Sequence, residues 1–334
     1  MPTKPSARVY RPTPANMVRL ARVLARGGLV AAPTETVYGL AADALNTKAC
    51  KAIFRAKDRP ANDPLIVHID TLAQARTIAE FSPAALKVAK AFWPGPLTLV
   101  LPKQSGVPAI VTSGLPSVAV RMPAHRLFRQ LIRLSGCPLA APSANPFGYV
   151  SPTTAKHVRA GLGKRIGHIL DGGAAKIGVE STILDLRDPS HPVLLRPGAI
   201  SREALQSVLG RPVAVVRHVV IAQQKAAPAP GMLERHYSPR TPVCLVRKLA
   251  PTRLRRIPAD EAVLLLTKPV HSTPANVFWL TTGGQLPRAA HVLFAMLRQL
   301  DNGHWQKIHV EIAPGKSALS MAINDRLARA AARK

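Results

Sequence analysis

The chain has 334 residues, 47% of them apolar, and a formal charge of +29 from 46 Lys and Arg against 17 Asp and Glu. That length predicts about two domains. The apolar content excludes a disordered chain, and no apolar run reaches the roughly 18 residues of a membrane span. The charge predicts attraction to polyanions such as nucleic acid or nucleotide phosphates, since net charge bears on association and not on fold. Cys50, Cys137 and Cys244 lie far apart with no CxxC pair, which excludes a cysteine zinc site and predicts a reducing compartment, the cytoplasm.

Glu35 is the first acidic residue, after Lys4, Arg8, Arg11, Arg19, Arg22 and Arg26. Met17, Leu20, Ala21 and Leu24 recur at helical spacing, so 16–26 reads as a packed first helix and not as a targeting presequence. An apolar strand, 29–32, then breaks at Pro33 into Thr34-Glu35-Thr36, with Gly39 placed to let the backbone turn away. Helix patterns at 48–56, 83–91, 126–134, 154–160 and 202–209 alternate with strand patterns at 65–69, 97–101, 118–121, 139–141, 169–170, 182–186 and 193–195. Such alternation predicts one α/β domain with a sheet wrapped by helices. The Ala- and Pro-rich stretch "IAQQKAAPAPGMLERHYSPRTP" reads as a linker. Beyond it, strands at 243–246, 262–266, 277–280 and 307–312 with helices at 288–300 and 320–331 predict a second, smaller α/β unit.

Polar residues collect where the strands end. Lys57 and Arg59 close a helix, either complementing its dipole or clamping a phosphate. In "DPLIVHI", Leu65, Val67 and Ile69 share one face, leaving Ile66 and His68 on the other; His68 is either a structural histidine or a substrate contact. Arg121 ends an apolar strand, suited to snorkelling or to bidentate capture of a carboxylate. Ser143 and Asn145, then Ser181, then Arg196 stand at further strand termini. In α/β sheets ligands bind in crevices at strand ends. A set rich in cations and hydroxyls with few acids suits the stabilisation of transferred phosphoryl charge. "APGKS" at 313–317 has the tail of a phosphate loop, but Val310 stands where its first Gly belongs, so it reads as a turn. The aromatic content of 4% weakens a stacking-type binder of single strands.

Read together, "PTETVYGLAADA", "KAIFRAKDRPANDPLIVHI", "WPGPLTLVL", "VTSGLPSVAVRMPAH", "APSANPFGYVSPT", "GVESTILDL", "LLRPGAI", the linker "APGMLERHYSP" and the terminal "INDRLARAA" resemble the threonylcarbamoyl-AMP synthase family in its two-domain form. The resemblance implies a twisted mixed sheet of the YrdC type flanked by helices over 10–217. It further implies a linker over 218–241 that folds across the active site and a smaller Rossmann-like α/β domain over 242–334. The implied activity is a cytoplasmic nucleotidyltransferase that turns L-threonine, bicarbonate and ATP, with Mg²⁺, into threonylcarbamoyl-AMP and pyrophosphate. Downstream tRNA threonylcarbamoyl-transferase proteins, and tRNA itself, are the implied partners. Lys57, Arg59, His68 and Arg121 match catalytic positions, and Thr34, His68, Arg121 and Ser181 match threonine contacts. Lys57, Arg59, Thr112, Ser143, Asn145, Ser151, Arg196, His236 and Tyr237 match nucleotide contacts. The chain departs from the pattern at Asp58, where the family often has Gly, which adds a negative charge between two phosphate cations, and at Leu233-Glu234 in the linker. Two other readings stand beside this one: an RNA-binding module of the same fold without ATP turnover, and a carbamoyl-adenylate-forming relative with another acceptor.

Overall fold

The structure, a computed structural model, describes residues 6–216, 229, 232 and 237–332. Strand β1 (Arg8–Tyr10) leads into α1 (Pro14–Ala25), the hairpin of β2 (Val30–Pro33) and β3 (Tyr38–Asp43), and α2 (Thr47–Lys57). Next come β4 (Ile66–His68), α3 (Leu72–Arg76), α4 (Pro83–Phe92), β5 (Leu97–Pro102), α5 (Ala109–Thr112), β6 (Ser117–Arg121) and α6 (Arg126–Ser135). The larger unit continues with β7 (Leu139–Ala140), α7 (Ala155–Leu162), β8 (His168–Leu170), β9 (Thr182–Asp185), β10 (Val193–Arg196), α8 (Arg202–Leu209) and β11 (Ala214–Val215). The C-terminal part consists of β12 (Val243–Val246), α9 (Pro251–Leu254), β13 (Glu261–Thr267), β14 (Val277–Thr281), α10 (Leu286–Asp301), β15 (Lys307–Glu311) and α11 (Ala318–Ala331).

Among the described residues these strands make two sheets. The larger is mixed, in the order β1-β8-β2-β3-β7-β4-β6-β5-β9-β10-β11, and the smaller is parallel, in the order β12-β15-β13-β14. Helix starts follow from capping chemistry: Thr13 Oγ1 accepts the Asn16 N–H and Asn46 Oδ1 accepts those of Lys48 and Ala49, each worth about 1 kcal/mol. As the helical spacing requires, Met17, Leu20, Ala21 and Leu24 are the buried face of α1.

The larger sheet is covered differently on its two faces. On one, Val67, Leu99, Val118 and Val120 pack with Ile53 of α2, Val88 of α4 and Leu205 of α8. On the other, α1 and α6 cover Val30, Ala32, Ala41 and Leu139 through Leu20, Leu24, Phe128 and Leu131. Farther along that second face, Ile66, Val100, Ala119, Ile183 and Leu195 pack with Ala229 and Met232 of the linker. Between the helix pair and the linker residues lies a gap over β4 and β6.

The two units grip each other closely. Arg298 of α10, itself buried, donates to the carbonyl oxygens of Val150 and Ser151 and lies 4.8 Å from the centre of the Tyr149 ring. Gly178, at φ +86°, lets its loop reach α10: a Cβ there would stand 2.3 Å from the Ala290 oxygen.

Candidate active site

The gap over β4 and β6 is a narrow crevice. Its walls carry Thr34 and Thr36 from the β2–β3 loop, Ile66 and His68 from β4, Arg121 from β6 and Ser143 after β7. Glu180 and Ser181 before β9, Arg196 ending β10, Arg59 after α2 and Tyr237 of the linker complete it. Side-chain alternation dictates part of this set. Leu65, Val67 and Ile69 enter the helical core while Ile66 and His68 face the crevice.

The stretch from 31 to 43 is a hairpin, with β3 antiparallel to β2. Gly39 is therefore not a turning point. It pairs with Ala32 in mid-strand, and a Cβ on it would lie 3.2 Å from that of Ala141, so the bare backbone permits the close approach of the segment after β7. Within the loop, Thr34 Oγ1 donates to the Val37 oxygen (2.6 Å), lies 2.8 Å from Thr36 Oγ1 and accepts the N–H groups of Thr36 and Val37. Glu35 faces Arg121 in a buried ion pair at 2.6 Å. Burial pushes the Glu35 carboxyl up, but Arg121 and backbone N–H groups outweigh it and hold the group below the usual carboxylate range. Arg121 also donates to Thr36 Oγ1 (3.0 Å) and the Gly95 oxygen (3.2 Å). With five N–H donors on its guanidinium, it retains capacity for a second carboxylate.

His68 packs its ring on Phe128, with centroids 5.2 Å apart. Burial, reinforced by Arg121, pushes its pKa down to about 3, so the imidazole is neutral near pH 7. Arg59 donates to the backbone oxygens of Asp63 and Pro64 and pairs with the Asp63 carboxylate at 2.9 Å. Arg196 donates to the oxygen and hydroxyl of Ser181, and that hydroxyl lies 2.8 Å from Thr98 Oγ1. Desolvation lowers the pKa of Lys57, Arg59 and Arg196 alike. Arg59 and Arg196 line the same crevice, and buried cations of this kind favour an incoming anion.

Other expected residues stand behind the walls. Lys57 sits under the crevice, its ammonium donating to the Ser143 and Asn145 oxygens at 2.5 Å, and so fixes the loop after β7. Asn145 donates to the oxygens of Pro146 and Tyr149, while its Oδ1 has no hydrogen-bond partner among the described residues. Ser151 donates to Glu180 (2.6 Å). Thr112, buried at the end of α5, bonds locally to the Ala109 oxygen and does not line the crevice. His236, Leu233 and Glu234 lie outside the described residues. Tyr237, at φ +63°, stacks on Phe294 of α10 with centroids 5.5 Å apart. Asp58 adopts φ +53° as the C-cap of α2, a left-handed geometry that explains the suitability of Gly there. Its carboxylate is exposed and pairs with Arg165, so its charge lies away from the crevice and not between the two cations.

Three residues of the site carry weight that their motifs did not reveal. Glu35 and Glu180 are buried carboxylates on or beside the crevice. Arg326 of α11 reaches in from the C-terminal unit, pairing with Glu180 (2.8 Å) and donating to the oxygens of Pro197 (2.9 Å) and Glu180 (3.3 Å). Its guanidinium lies 5.5 Å from the centre of the Tyr237 ring. Among the described residues no three His, Cys, Asp or Glu side chains converge as a metal site, and no helix is long and apolar enough to cross a membrane.

The chain resembles known proteins along nearly its whole length. The family described as "Telomere recombination" matches residues 22–198, and that described as "Threonylcarbamoyl-AMP synthase, C-terminal domain" matches 200–332. The threonylcarbamoyl-AMP synthase of Pyrococcus abyssi is 42% identical over 325 residues, covering 94% of this chain and 93% of its own length. That of Bacillus subtilis is 40% identical over 325 residues, with 94% and 92% covered. The crystal structure of Pyrococcus abyssi Sua5 complexed with L-threonine superposes with a TM-score of 0.87 at 39% identity, over 97% of this chain and 96% of that one. With both family matches in chain order and relatives aligned along nearly its whole length, the chain belongs to the threonylcarbamoyl-AMP synthase family.

Proposed function

We propose that the protein forms threonylcarbamoyl-AMP and pyrophosphate from L-threonine, bicarbonate and ATP in the crevice, supplying the tRNA threonylcarbamoyl-transferase proteins that modify tRNA. The carrying observation is that three buried guanidinium groups, Arg59, Arg121 and Arg196, line one crevice together with Ser143 and Ser181. In this reading Arg59 and Arg196 take the phosphates and Ser143 is a further nucleotide contact, while Asn145, Ser151 and Thr112 hold the structure behind the crevice wall. Lys57 acts as a positioning residue through the 143–145 loop. Arg121 takes the threonine carboxylate, and Thr34 and Ser181 flank the amino acid.

The neutral threonine nitrogen joins the bicarbonate carbon with loss of water. A carbamate oxygen then bonds to the α-phosphorus as the bond to the β-phosphate breaks and pyrophosphate leaves. A neutral His68 accepts or donates one hydrogen bond beside the amine without storing its proton. Such a site works by positioning and charge neutralisation more than by acid–base exchange. Both crevice carboxylates are engaged by arginine, so the donor set does not fit a protein-held ion, and Mg²⁺ would enter as part of the ATP substrate. The crevice as it stands holds about 50 Å³, room for a few waters and not for an amino acid with a nucleotide.

The test is AMP release with each substrate omitted in turn. Release that requires both threonine and bicarbonate is expected, and AMP formation indifferent to threonine overturns the reading. An Arg121→Ala variant with unaltered threonine affinity would remove Arg121 from its role.

A further inference from the structure

The C-terminal unit holds a second cavity, with a volume of about 620 Å³, within the range of about 300–1,000 Å³ usual for small-molecule sites. It opens at the carboxyl ends of three neighbouring strands. Arg247 and Lys248 follow β12, Thr267 ends β13, and Ile312 and Pro314 follow β15. The topology explains the opening. After β12 the chain crosses to α9, whose Leu254 packs with Val263, Leu265 and Val277. After the adjacent β15 it crosses to α11, whose Ile323 and Leu327 pack with Ala262 and Leu264 on the opposite face. Neighbouring parallel strands whose connections part to opposite faces leave a crevice outside the sheet edge, and open α/β sheets bind ligands in such crevices.

The chemistry of the walls narrows the ligand. Arg247, Lys248, Arg255 and His271 supply positive or protonatable groups to the lining. Glu311 is the carboxylate among the lining residues, and its Oε2 is already engaged by the Leu266 N–H at 2.9 Å. Leu249, Leu254 and Leu265 form an apolar floor, while the 267–273 segment adds the hydroxyls of Thr267, Ser272 and Thr273. The "APGKS" turn, unused by the active site, leads from this rim into α11. There Gly315 adopts φ +77° with open space where a Cβ would stand, and Ser317 Oγ caps the helix by accepting the Ser320 N–H. A bare phosphate would need the cations alone. The apolar floor and the hydroxyl rim suit a larger molecule with a flat apolar part, a sugar and an anionic end.

We infer that this crevice is a nucleotide-binding site separate from the active site, with the phosphate against Arg247, Lys248 and Arg255 and the base over Leu254 and Leu265. The inference does not rest on the proposed reaction. It is tested by calorimetric titration of the full chain with AMP, beside the Arg247→Glu/Lys248→Glu double variant. Both side chains are exposed, so the fold is expected to stand, checked by an unchanged melting temperature and unchanged AMP-forming activity. The wild-type isotherm is expected to need two sites, one of which weakens about tenfold or more in the double variant while the other is unmoved. Arg196→Ala is expected to do the converse, leaving the C-terminal site intact. Inorganic phosphate run in parallel is expected to bind the C-terminal site more weakly than AMP, and equal binding overturns the nucleotide assignment. An isotherm that the double substitution leaves unchanged, whether it shows one site or none, overturns the site itself.

Discussion

Replacing Arg326 by Met removes the cation that joins the C-terminal unit to the crevice. The side chain is wholly buried and its partner Glu180 nearly so, so solvent does not screen the pair. Deleting one partner of a buried ion pair costs about 3–5 kcal/mol, because the other charge stays buried and uncompensated. That is a large part of a typical stability margin of about 5–15 kcal/mol. The carbonyl oxygens of Glu180 and Pro197 lose donors in the same step. These residues precede Ser181 and follow Arg196, so the nucleotide wall at Arg196 loosens most, Ser181 beside the amino acid loosens with it, and Arg121 and Glu35 are untouched. In urea unfolding and pyrophosphate-release kinetics, the expected result is a lower midpoint and a KM for ATP raised about tenfold or more, with the KM for threonine moved far less. Arg326→Lys keeps the charge without the fork and should recover part of both. Pairing Arg326→Met with Glu180→Gln should restore about 2 kcal/mol relative to additivity. An Arg326→Met enzyme with wild-type midpoint and ATP dependence, or a cycle showing no coupling, would refute this reasoning.

Two further predictions concern the other end of the crevice. Glu35→Gln leaves the buried Arg121 without its anion, so stability should fall by about 3 kcal/mol, and L-threonine should raise the melting temperature of the variant more than that of the wild type, because its carboxylate supplies the missing charge; equal shifts would refute the pairing. His68 is neutral in the fold with its pKa pushed down to about 3 from 6.5. The unfolded chain therefore binds the extra proton between those values, and the histidine lowers stability as pH falls below about 6.5. Unfolding at pH 7 and pH 5 should show a smaller acid loss in His68→Gln than in the wild type, and identical losses would remove burial of His68 as a cause.

The crevice was legible because strand ends advertise it: His68, Arg121, Ser143, Ser181 and Arg196 each interrupt an apolar run where a sheet surfaces. The fold class and most helices followed from periodicity, since Met17, Leu20, Ala21 and Leu24 obey a spacing that packing enforces. What escaped depends on distant partners. Strand β1 has three residues and is held by pairing with β8, some 160 positions on. Strand β3, "YGLAAD", hides behind a polar loop, and its Gly39 reads as a turn until Ala141 is seen against it. Asp58 read as a charge among phosphate ligands because its partner Arg165 lies 107 residues away. The signal for Arg326 was present. It falls at helical spacing with Ala322, Ile323, Leu327 and Ala330, on the buried face of α11, and an arginine on an apolar stripe asks for a buried anion. Nothing local named Glu180 as that anion.

Helix α11 gains a second meaning from its two ends. Its 14 residues make a rod about 21 Å long that starts from the turn rimming the C-terminal crevice and carries Arg326 against Glu180 at the active site. A rod so placed is a common lever. If occupancy of the crevice biases the seating of α11 by some free energy, the same free energy must return as a change in affinity for the crevice when the active site fills. The reciprocity is set by thermodynamics. The sign of the coupling is set by whether the ligand draws the "APGKS" turn toward the sheet or away from it.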